Sequence, residues 1–499
     1  MSFLNRKEWI CLWVLMLAAL LIRGFFLTKV EVILPDEAHY VRMGQDLNQG
    51  KTFAQLNFVS EEDRGYKGQP LLPFLYALLA RATKDPLQAS QWSSVILAVL
   101  TLIPFHLSCR QFLSSAEALG SDLIYVLSPF AIQYSLWAMP HSLFNLLFVS
   151  TLFFVLKSEK SKSLLWPVLA GAAASGAYLT RVEGVVFVGG VTMAVGLLLG
   201  LRMSLGFLGS FSLFSLPFWI WLKETTGIWQ LLWTGGLGAS GVLVKWKLAS
   251  NPSGSLPSVF LNSYFKNLSW EFSLLPKIIP LLVWMLIAIG IWEAFRKNRL
   301  ASRSVQLVSF FGLLPLMVYP IHLLPEPRFI FPAVIPFLMF GGSALDALVG
   351  MTEKRKLAVG LLGGFLMVAL APGYRSLWLG FKEEPPEQKL FGEWLHNHFK
   401  EPQVLFSSDC RGCFYAGSSC ERFVSMRRIH GSLPDDRFLE DFLIREGVDL
   451  VAADERYVPK FYPRFKFLLQ PPGPTWLKRL AELGEEGERI IVYQFERKK

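Results

Sequence analysis

Long apolar stretches without a polar face alternate with short polar loops along the first three quarters of the chain. Every residue from Leu12 to Leu21 is apolar, for example. The hydrocarbon core of a bilayer is about 30 Å thick, and a helix of about 20 apolar residues crosses it. On this template we predict about eleven transmembrane helices. Their expected ranges are 9–29, 89–108, 119–137, 142–157, 163–180, 184–201, 204–222, 273–295, 304–323, 329–349 and 357–374.

From residue 383 onward the pattern changes to short apolar runs that alternate with helix-like stretches, which is typical of a small α/β domain. The segment EEPP at 383–386 marks the linker to it. We therefore predict a helical transmembrane domain over 1–375, with 30–88 as its first outer loop, and a C-terminal α/β domain over 383–499. The apolar runs lie at 404–406, 448–453 and 489–495, and the helix-like stretches at 387–399 and 437–447.

Composition supports a membrane protein. Of the 499 residues, 52% are hydrophobic and only 18% are charged, whereas a soluble domain has about 25% charged residues. This composition excludes a soluble enzyme, a fibrous protein and a disordered chain. The net charge is +10, yet residues 383–499 hold 18 basic and 20 acidic side chains. The basic surplus therefore belongs to the apolar part, where it is scattered between spans, and we expect no nucleic-acid partner.

The basic residues of the short loops fall on one side of the predicted bundle. With a cytoplasmic N-terminus, the even-numbered connections return to the cytoplasm, which agrees with the preference of Lys and Arg for cytoplasmic loops. We therefore expect a protein of the plasma (inner) membrane whose C-terminal domain is extracytoplasmic. The cytoplasmic basic positions are Arg6, Lys7, Arg110, 157–162, Arg202, 296–299, Arg303 and 352–356.

The first outer loop begins with LPDEAHY at 34–40, which contains the adjacent carboxylates Asp36 and Glu37. Ionisable groups at the membrane boundary are functional candidates because they are costly there. One carboxylate could act as a general base while its neighbour orients it. Alternatively, Asp36 caps a helix that begins here. His39 is a further, weaker candidate, since a histidine in this position also packs or forms a structural hydrogen bond.

Three further outer segments carry charge. Tyr66 and Lys67 precede an expected interfacial helix, where Lys67 either extends to the headgroups or binds a lipid phosphate. Arg181 and Glu183, in TRVEG at 180–184, either form an ordinary ion pair or contribute to a site. A separate proline-rich turn, HLLPEPRFIFPAVIP at 322–336, holds Glu326 and Arg328, and an arginine there is suited to bidentate recognition of phosphate.

Together, two carboxylates, a lysine and two arginines collect on one membrane face. This combination favours an enzyme that handles a lipid phosphate, in which cations hold the phosphate and a carboxylate takes a proton. A transporter or flippase of lipid-linked saccharides is the alternative, although transporters usually carry such charges near the membrane centre. A non-catalytic membrane scaffold is the third hypothesis.

The motifs PDEAHY, YKGQPLLPFLYAL, LTRVEG and PEPRFIFPAVIPFL occur in the order and topology of polyprenyl-phosphate-dependent membrane glycosyltransferases. The sequence resembles the C-type superfamily, in particular the family 39-like branch of protein O-mannosyltransferases and aminoarabinose transferases. The resemblance covers about residues 1–375 and implies a hexosyl or pentosyl transferase. Its expected partners are a polyprenyl-phosphate sugar donor, membrane lipid, and a glycan, lipid or protein acceptor.

The resemblance also implies roles for individual residues. Asp36 is expected to deprotonate the acceptor with support from Glu37, in a single displacement that inverts the anomeric carbon. Fixed cations at the departing phosphate would stabilise the transition state. The donor phosphate is expected to contact Lys67, Arg328 and Arg181, with supporting roles for Tyr66, Glu183, Glu326, His39 and His141.

His141 marks a departure from the family pattern, since many relatives carry an acidic residue in the turn where this chain has AMPHSLF at 138–144. His141 would act there as a hydrogen-bonding or titrating group. The substitution removes one expected acid, so we predict no metal cofactor, although Asp36, His39 and His141 could bind one if they met.

The C-terminal domain contains three cysteines, Cys410, Cys413 and Cys420. Structural metal sites usually need four ligands, and the motif has no obvious fourth. In an oxidising outer location we expect one disulfide and a spare thiol, with the pairing open.

Overall fold

The structure, a computed structural model, describes residues 5–30, 32–52, 69–83, 85–181, 184–226, 256–318, 327–350, 386–426, 436–470 and 474–496, together with 364, 370, 371, 373–375, 377, 378 and 429. The regular secondary structure described before residue 379 is helical. Its helices are α1 (Arg6–Leu27), α2 (Pro35–Asn48), α3 (Leu71–Ala82), α4 (Pro86–Leu100), α5 (Leu102–Cys109), α6 (Ser115–Leu127), α7 (Pro129–Leu136), α8 (His141–Ser161), α9 (Leu165–Thr180), α10 (Gly184–Leu199), α11 (Leu201–Thr226), α12 (Leu256–Ile278), α13 (Leu281–Arg296), α14 (Arg303–Val318) and α15 (Pro327–Gly350).

Within the described ranges, five helical spans are long and apolar enough to cross a membrane, or six if the bent pair α12 and α13 is counted as one. The predicted number of eleven is therefore not confirmed. The span expected at 119–137 is divided into α6 and α7 at Ser128, because the proline that follows disfavours helical backbone at the preceding residue. The span expected at 357–374 lies largely outside the described residues.

Helix ends and helix contacts follow local chemistry. A capping box closes the start of α1, where the Asn5 side chain accepts from the Glu8 amide and Glu8 accepts from Asn5. Between α12 and α13 the chain bends by 101° at Pro280. Helix α6 approaches α15 so closely that a side chain at Gly342 would collide with the backbone carbonyl of Glu117. Small residues allow this approach, as in other helix pairs that pack within membranes.

The C-terminal part forms a five-stranded sheet in the order β2-β1-β3-β5-β4. Strands β2, β1 and β3 are parallel, and β5 runs antiparallel to both β3 and β4. All five residues of β3 are buried, which explains why its first four, 450–453, are apolar without interruption. The elements are α16 (Glu387–His398), β1 (Gln403–Ser407), α17 (Arg411–Ala416), β2 (Cys420–Ser425), α18 (Asp436–Arg445), β3 (Leu450–Asp454), α19 (Val458–Phe461), β4 (Leu477–Leu483) and β5 (Ile490–Phe495).

The predicted mixed sheet-and-helix character of this part is confirmed, and the three predicted apolar runs overlap β1, β3 and β5. Sequence patterning missed β2 and β4. In β4 only Leu477 is fully buried and most of the remaining residues are exposed, so an edge strand of this kind carries almost no apolar signal.

The chain divides into two compact units. The helical unit comprises Met1–Thr28 and Met43–Trp378, and the tail unit comprises Lys29–Arg42 and Leu379–Lys499. The segment that carries Asp36 and Glu37 is therefore part of the tail unit, together with the sheet.

Candidate functional site

The two adjacent carboxylates at the start of α2 have opposite environments. Asp36 is exposed, whereas Glu37 is 0% exposed. The Glu37 Oε2 atom accepts a hydrogen bond of 3.2 Å from the backbone amide of Leu34, the residue before the helix. Glu37 therefore stabilises the helix start, as the acidic residue of a capping box does. The helix-cap interpretation was made for Asp36, and the structure assigns the capping contact to Glu37.

Asp36 shares its face of α2 with His39, because residues three apart on a helix are neighbours. His39 is also exposed, and its ring lies 6.2 Å from that of Tyr40. Both carboxylates occupy the first turn of α2, where the amide dipoles of the helix favour negative charge. The sequence placed Asp36, Glu37 and His39 together as one motif, and the structure separates an accessible pair from a buried residue.

In the helical unit, His141 and Arg181 form a buried contact. Arg181 Nη1 lies 2.9 Å from His141 Nδ1, and the two residues are only 9% and 4% exposed. An arginine can only donate, so Nδ1 is the acceptor and the ring is neutral in this contact. The rings of Tyr134 and His141 are nearly perpendicular, with their centres 4.8 Å apart. The Arg181 guanidinium lies 5.9 Å from the centre of the Phe144 ring.

The helix arrangement explains this contact. His141 is the first residue of α8, and Arg181 directly follows α9. Consecutive packed helices that run in opposite directions bring the start of the first and the end of the second to the same end. Arg328, the second residue of α15, is half-buried. Its guanidinium acts electrostatically on His141, as Arg181 does. Two guanidinium groups around one imidazole form a basic cluster suited to binding an anion such as a phosphate.

The remaining predicted site residues are Tyr66, Lys67, Glu183 and Glu326, and all four lie outside the described residues. The possible ion pair between Arg181 and Glu183 therefore stays a prediction. Among the residues that the structure describes, no three His, Cys, Asp or Glu side chains are grouped so that they could hold a metal ion.

The sequence interpretation missed a set of buried polar residues in the tail unit. Asp409 and Arg411 follow β1, and Asp454 and Tyr457 lie at and after the end of β3. Burial raises the pKa of the Asp454 carboxyl to about 6. The charged pair Asp409 and Arg411, directly after a predicted strand, is the signal in the sequence that points to these residues.

The cysteine motif forms one disulfide, between Cys413 and Cys420, and Cys410 is a free thiol. This agrees with the expectation of one disulfide and a spare thiol. Burial raises the pKa of the Cys410 thiol to about 12, with a further contribution from the neighbouring Asp409 carboxylate. Burial likewise raises the pKa of Tyr415 to about 12.

The chain is similar in structure to three membrane glycosyltransferases. ArnT from Cupriavidus metallidurans, an aminoarabinose transferase solved with bound undecaprenyl phosphate, is 14% identical with a TM-score of 0.66, and the match covers 98% of both chains. The oligosaccharyltransferase of Archaeoglobus fulgidus, solved with zinc and sulfate, is 12% identical with a TM-score of 0.60, and 88% of this chain matches 68% of that one.

The arabinofuranosyltransferase AftD from Mycobacteria is 13% identical with a TM-score of 0.52, and 99% of this chain matches 42% of that longer one. No family model and no curated protein sequence matches the chain. The likeness shows that the chain shares the fold of these membrane glycosyltransferases, as the sequence resemblance predicts. With the apolar helices, it shows an integral membrane protein.

Proposed function

We propose that the protein is an inverting glycosyltransferase that moves a sugar from a polyprenyl-phosphate carrier to an acceptor on the outer face of the membrane. The observation that carries this proposal is the division between the two adjacent carboxylates. Asp36 is accessible to an acceptor hydroxyl, while Glu37 is buried and holds the helix start. The fold supports the same conclusion, because it matches over 98% of its length a protein solved with undecaprenyl phosphate.

In the proposed reaction Asp36 accepts the proton of the acceptor. The acceptor oxygen forms a bond to the anomeric carbon while the bond from that carbon to the phosphate oxygen breaks, and the electron pair leaves with the phosphate. One displacement inverts the anomeric carbon and needs a single base. A positioned base of this kind typically contributes about 10²–10⁴-fold to the rate.

Arg181 and Arg328, together with Lys67, hold the donor phosphate and neutralise the charge that develops on it as the bond breaks. His141 supports this cluster by accepting a hydrogen bond from Arg181, which fixes one edge of the guanidinium. Tyr66, Glu183, Glu326 and His39 have supporting roles around donor and acceptor. The acceptor is a glycan, a lipid or a protein, and the sugar is a hexose or pentose.

The proposed orientation has a cytoplasmic N-terminus and an extracytoplasmic tail unit. Basic residues in the even-numbered connections support it. The disulfide between Cys413 and Cys420 supports it independently, because disulfides persist in oxidising compartments outside the cytoplasm.

The experiment is a transfer assay with the purified protein in lipid nanodiscs. Radiolabelled undecaprenyl-phosphate sugars, tested one by one, are mixed with extracted envelope material as acceptor. We expect transfer from at least one donor and a loss of at least about 100-fold in Asp36→Asn. Asp46→Asn is the matched control, because Asp46 lies on the same helix and pairs with Lys51 at the surface.

If Asp36→Asn transfers sugar as fast as wild type, Asp36 is not the base. A flippase gives a different result, because it moves labelled lipid between leaflets of a vesicle and releases no sugar from its carrier. Lipid movement without transfer would overturn the proposal.

A further inference from the structure

At the edge of the tail-unit sheet where such sheets usually bind ligands, this protein binds a segment of its own chain. In open α/β sheets, ligands bind outside the carboxyl ends of the parallel strands. Here the residues that follow β1 and β3 at that edge include Asp409, Arg411 and Tyr457. Their contacts extend to Ile33, which lies three residues before Asp36. The occupant of this edge is therefore the start of the first outer loop.

Arg411 is the centre of this arrangement. Its side chain is 0% exposed, and its guanidinium is bound on one side by the Asp409 carboxylate. Nε lies 3.1 Å from both carboxylate oxygens, and Nη2 lies 2.7 Å from Oδ2. Nη2 also donates to the Tyr457 hydroxyl at 2.8 Å. A buried cation is tolerated because it is paired and hydrogen-bonded in this way.

The ion pair with Asp409 fixes the orientation of the guanidinium and therefore the direction of Arg411 Nη1. Arg411 Nη1 donates to the backbone carbonyl of Ile33 at 3.3 Å. The amide of the same residue donates to the Tyr415 hydroxyl at 3.0 Å, and the Cys410 thiol donates to the carbonyl of Pro35 at 3.4 Å. Both backbone groups of Ile33 and the carbonyl of Pro35 are therefore held by residues 410–415, in and just before α17.

Side-chain packing holds the same segment. Val32 and Ile33 are 5% and 2% exposed. The next contact along the chain is that of Glu37 with the Leu34 amide. The backbone is thus held from Ile33 to Glu37, and the exposed Asp36 lies inside the held segment. These contacts set the position of the Asp36 backbone, and with it the place from which the carboxylate extends.

We infer that the sheet-containing part of the tail unit positions the catalytic carboxylate of Asp36, and that Arg411, oriented by Asp409 and Tyr457, is the principal positioning residue. This inference rests on the proposed function of Asp36. A misplacement of about 1 Å at a reacting group costs about 100-fold in rate. Loss of the Ile33 contact should therefore lower kcat while the donor, which Arg411 is not proposed to contact, binds as before.

The test uses the full chain in lipid nanodiscs and two independent measurements. The first is hydrogen exchange of the peptide 29–42, which does not depend on any activity. We expect Arg411→Met to increase exchange in this peptide, and Arg411→Lys, which keeps a donor, to increase it less. Arg422→Met is the matched control, because Arg422 belongs to the same unit but pairs with Glu446.

The second measurement is transfer from the radiolabelled undecaprenyl-phosphate sugar that the wild type uses. Arg411→Met should lower kcat by about 100-fold with KM changed by less than about threefold, and Arg411→Lys should restore part of kcat. If Arg411→Met does not fold, Tyr415→Phe replaces it, since this change removes only the hydroxyl that accepts from the Ile33 amide. It should increase exchange at Ile33 and lower kcat by about 10-fold.

Unchanged exchange in 29–42 for every folded variant would overturn the inference, as would a loss of kcat in Arg422→Met equal to that in Arg411→Met. If the wild type transfers no sugar while exchange changes as expected, the contact is real and the proposed function is wrong. The two failures are therefore distinguishable.

Discussion

Arg181 Nη1 lies 2.9 Å from His141 Nδ1 inside the helical unit, so a neutral imidazole accepts from a buried guanidinium. Many members of the family that the sequence resembles have an acidic residue in the turn at 138–144. A neutral acceptor orients the arginine without cancelling its charge. The proposed role of Arg181 at the donor phosphate uses this positive charge.

A first prediction concerns carrier affinity. We expect Arg181→Lys to weaken binding of undecaprenyl phosphate about 10-fold, since lysine lacks the planar fork that contacts His141 and phosphate together. Binding is measured by titration of the protein in nanodiscs with undecaprenyl phosphate. Arg202→Lys, an exposed residue of α11, is the control, and equal affinity for all three proteins would contradict the assignment.

A second prediction separates His141 as acceptor from His141 as packing residue. His141→Ala leaves the Arg181 nitrogen without its acceptor, and we expect a loss in carrier affinity of about 10-fold from an unsatisfied buried donor. His141→Asn provides a carbonyl oxygen and should recover part of the affinity. The same titration measures both variants, and identical affinities would show that the hydrogen bond is unimportant.

A third prediction contrasts the two carboxylates in stability. Asp36→Asn should change the free energy of unfolding by less than about 0.5 kcal/mol, because Asp36 is exposed. Glu37→Ala should lower it by about 1–2 kcal/mol, because the Leu34 amide loses its acceptor at a buried helix start. Thermal unfolding of the purified variants measures this difference. Equal destabilisation by both changes would contradict the assigned environments.

A fourth prediction concerns pH. Burial raises the pKa of Asp454 from 3.8 to about 6, so the folded protein binds this proton more tightly than the unfolded chain. The resulting stabilisation is complete below about pH 4 and is lost as the pH rises through about 6. Asp454→Asn removes the titration, and Gln388, which donates to Asp454 at 2.6 Å, can turn its amide to match.

We therefore expect Asp454→Asn to gain stability relative to wild type between pH 4.5 and pH 7.5, by on the order of 1–3 kcal/mol. Thermal unfolding at the two pH values measures it. Asp441→Asn, at an exposed position of α18, should show no such change. A difference between variant and wild type that is independent of pH would refute the prediction.

A fifth prediction concerns the free thiol. Since burial raises the pKa of Cys410 to about 12, only about one thiol in ten thousand is ionised at pH 8, and the thiolate is the reactive form. We expect iodoacetamide to leave Cys410 unmodified in the native protein and to modify it after unfolding. Peptide mass spectrometry measures this at each cysteine, and rapid native labelling would contradict the burial of the thiol.

Features that depend on local pattern could be predicted from the amino-acid sequence. Apolar runs identified the helical membrane part and the strands β1, β3 and β5, because hydrophobic periodicity reports which residues avoid water within one element. The motif at 34–40 identified Asp36 and Glu37, and the cysteine spacing predicted one disulfide with a spare thiol. Two kinds of feature could not be predicted in this way. The helix break at Ser128 does not interrupt the apolar pattern, and the edge strand β4 is mostly exposed and therefore has few apolar residues.

The different environments of those residues depend on how the folded chain packs. Asp36 and Glu37 are neighbours with the same chemistry, and which one is buried depends on what packs against the helix. Arg411 contacts Ile33 across 378 positions of sequence, and His141 contacts Arg181 across 40. No local period encodes such pairs, because they arise where separate elements meet in space. The carboxylate motif could therefore be predicted from the sequence, whereas its exposed member, and the arginine that binds the backbone of Ile33, follow from the packing.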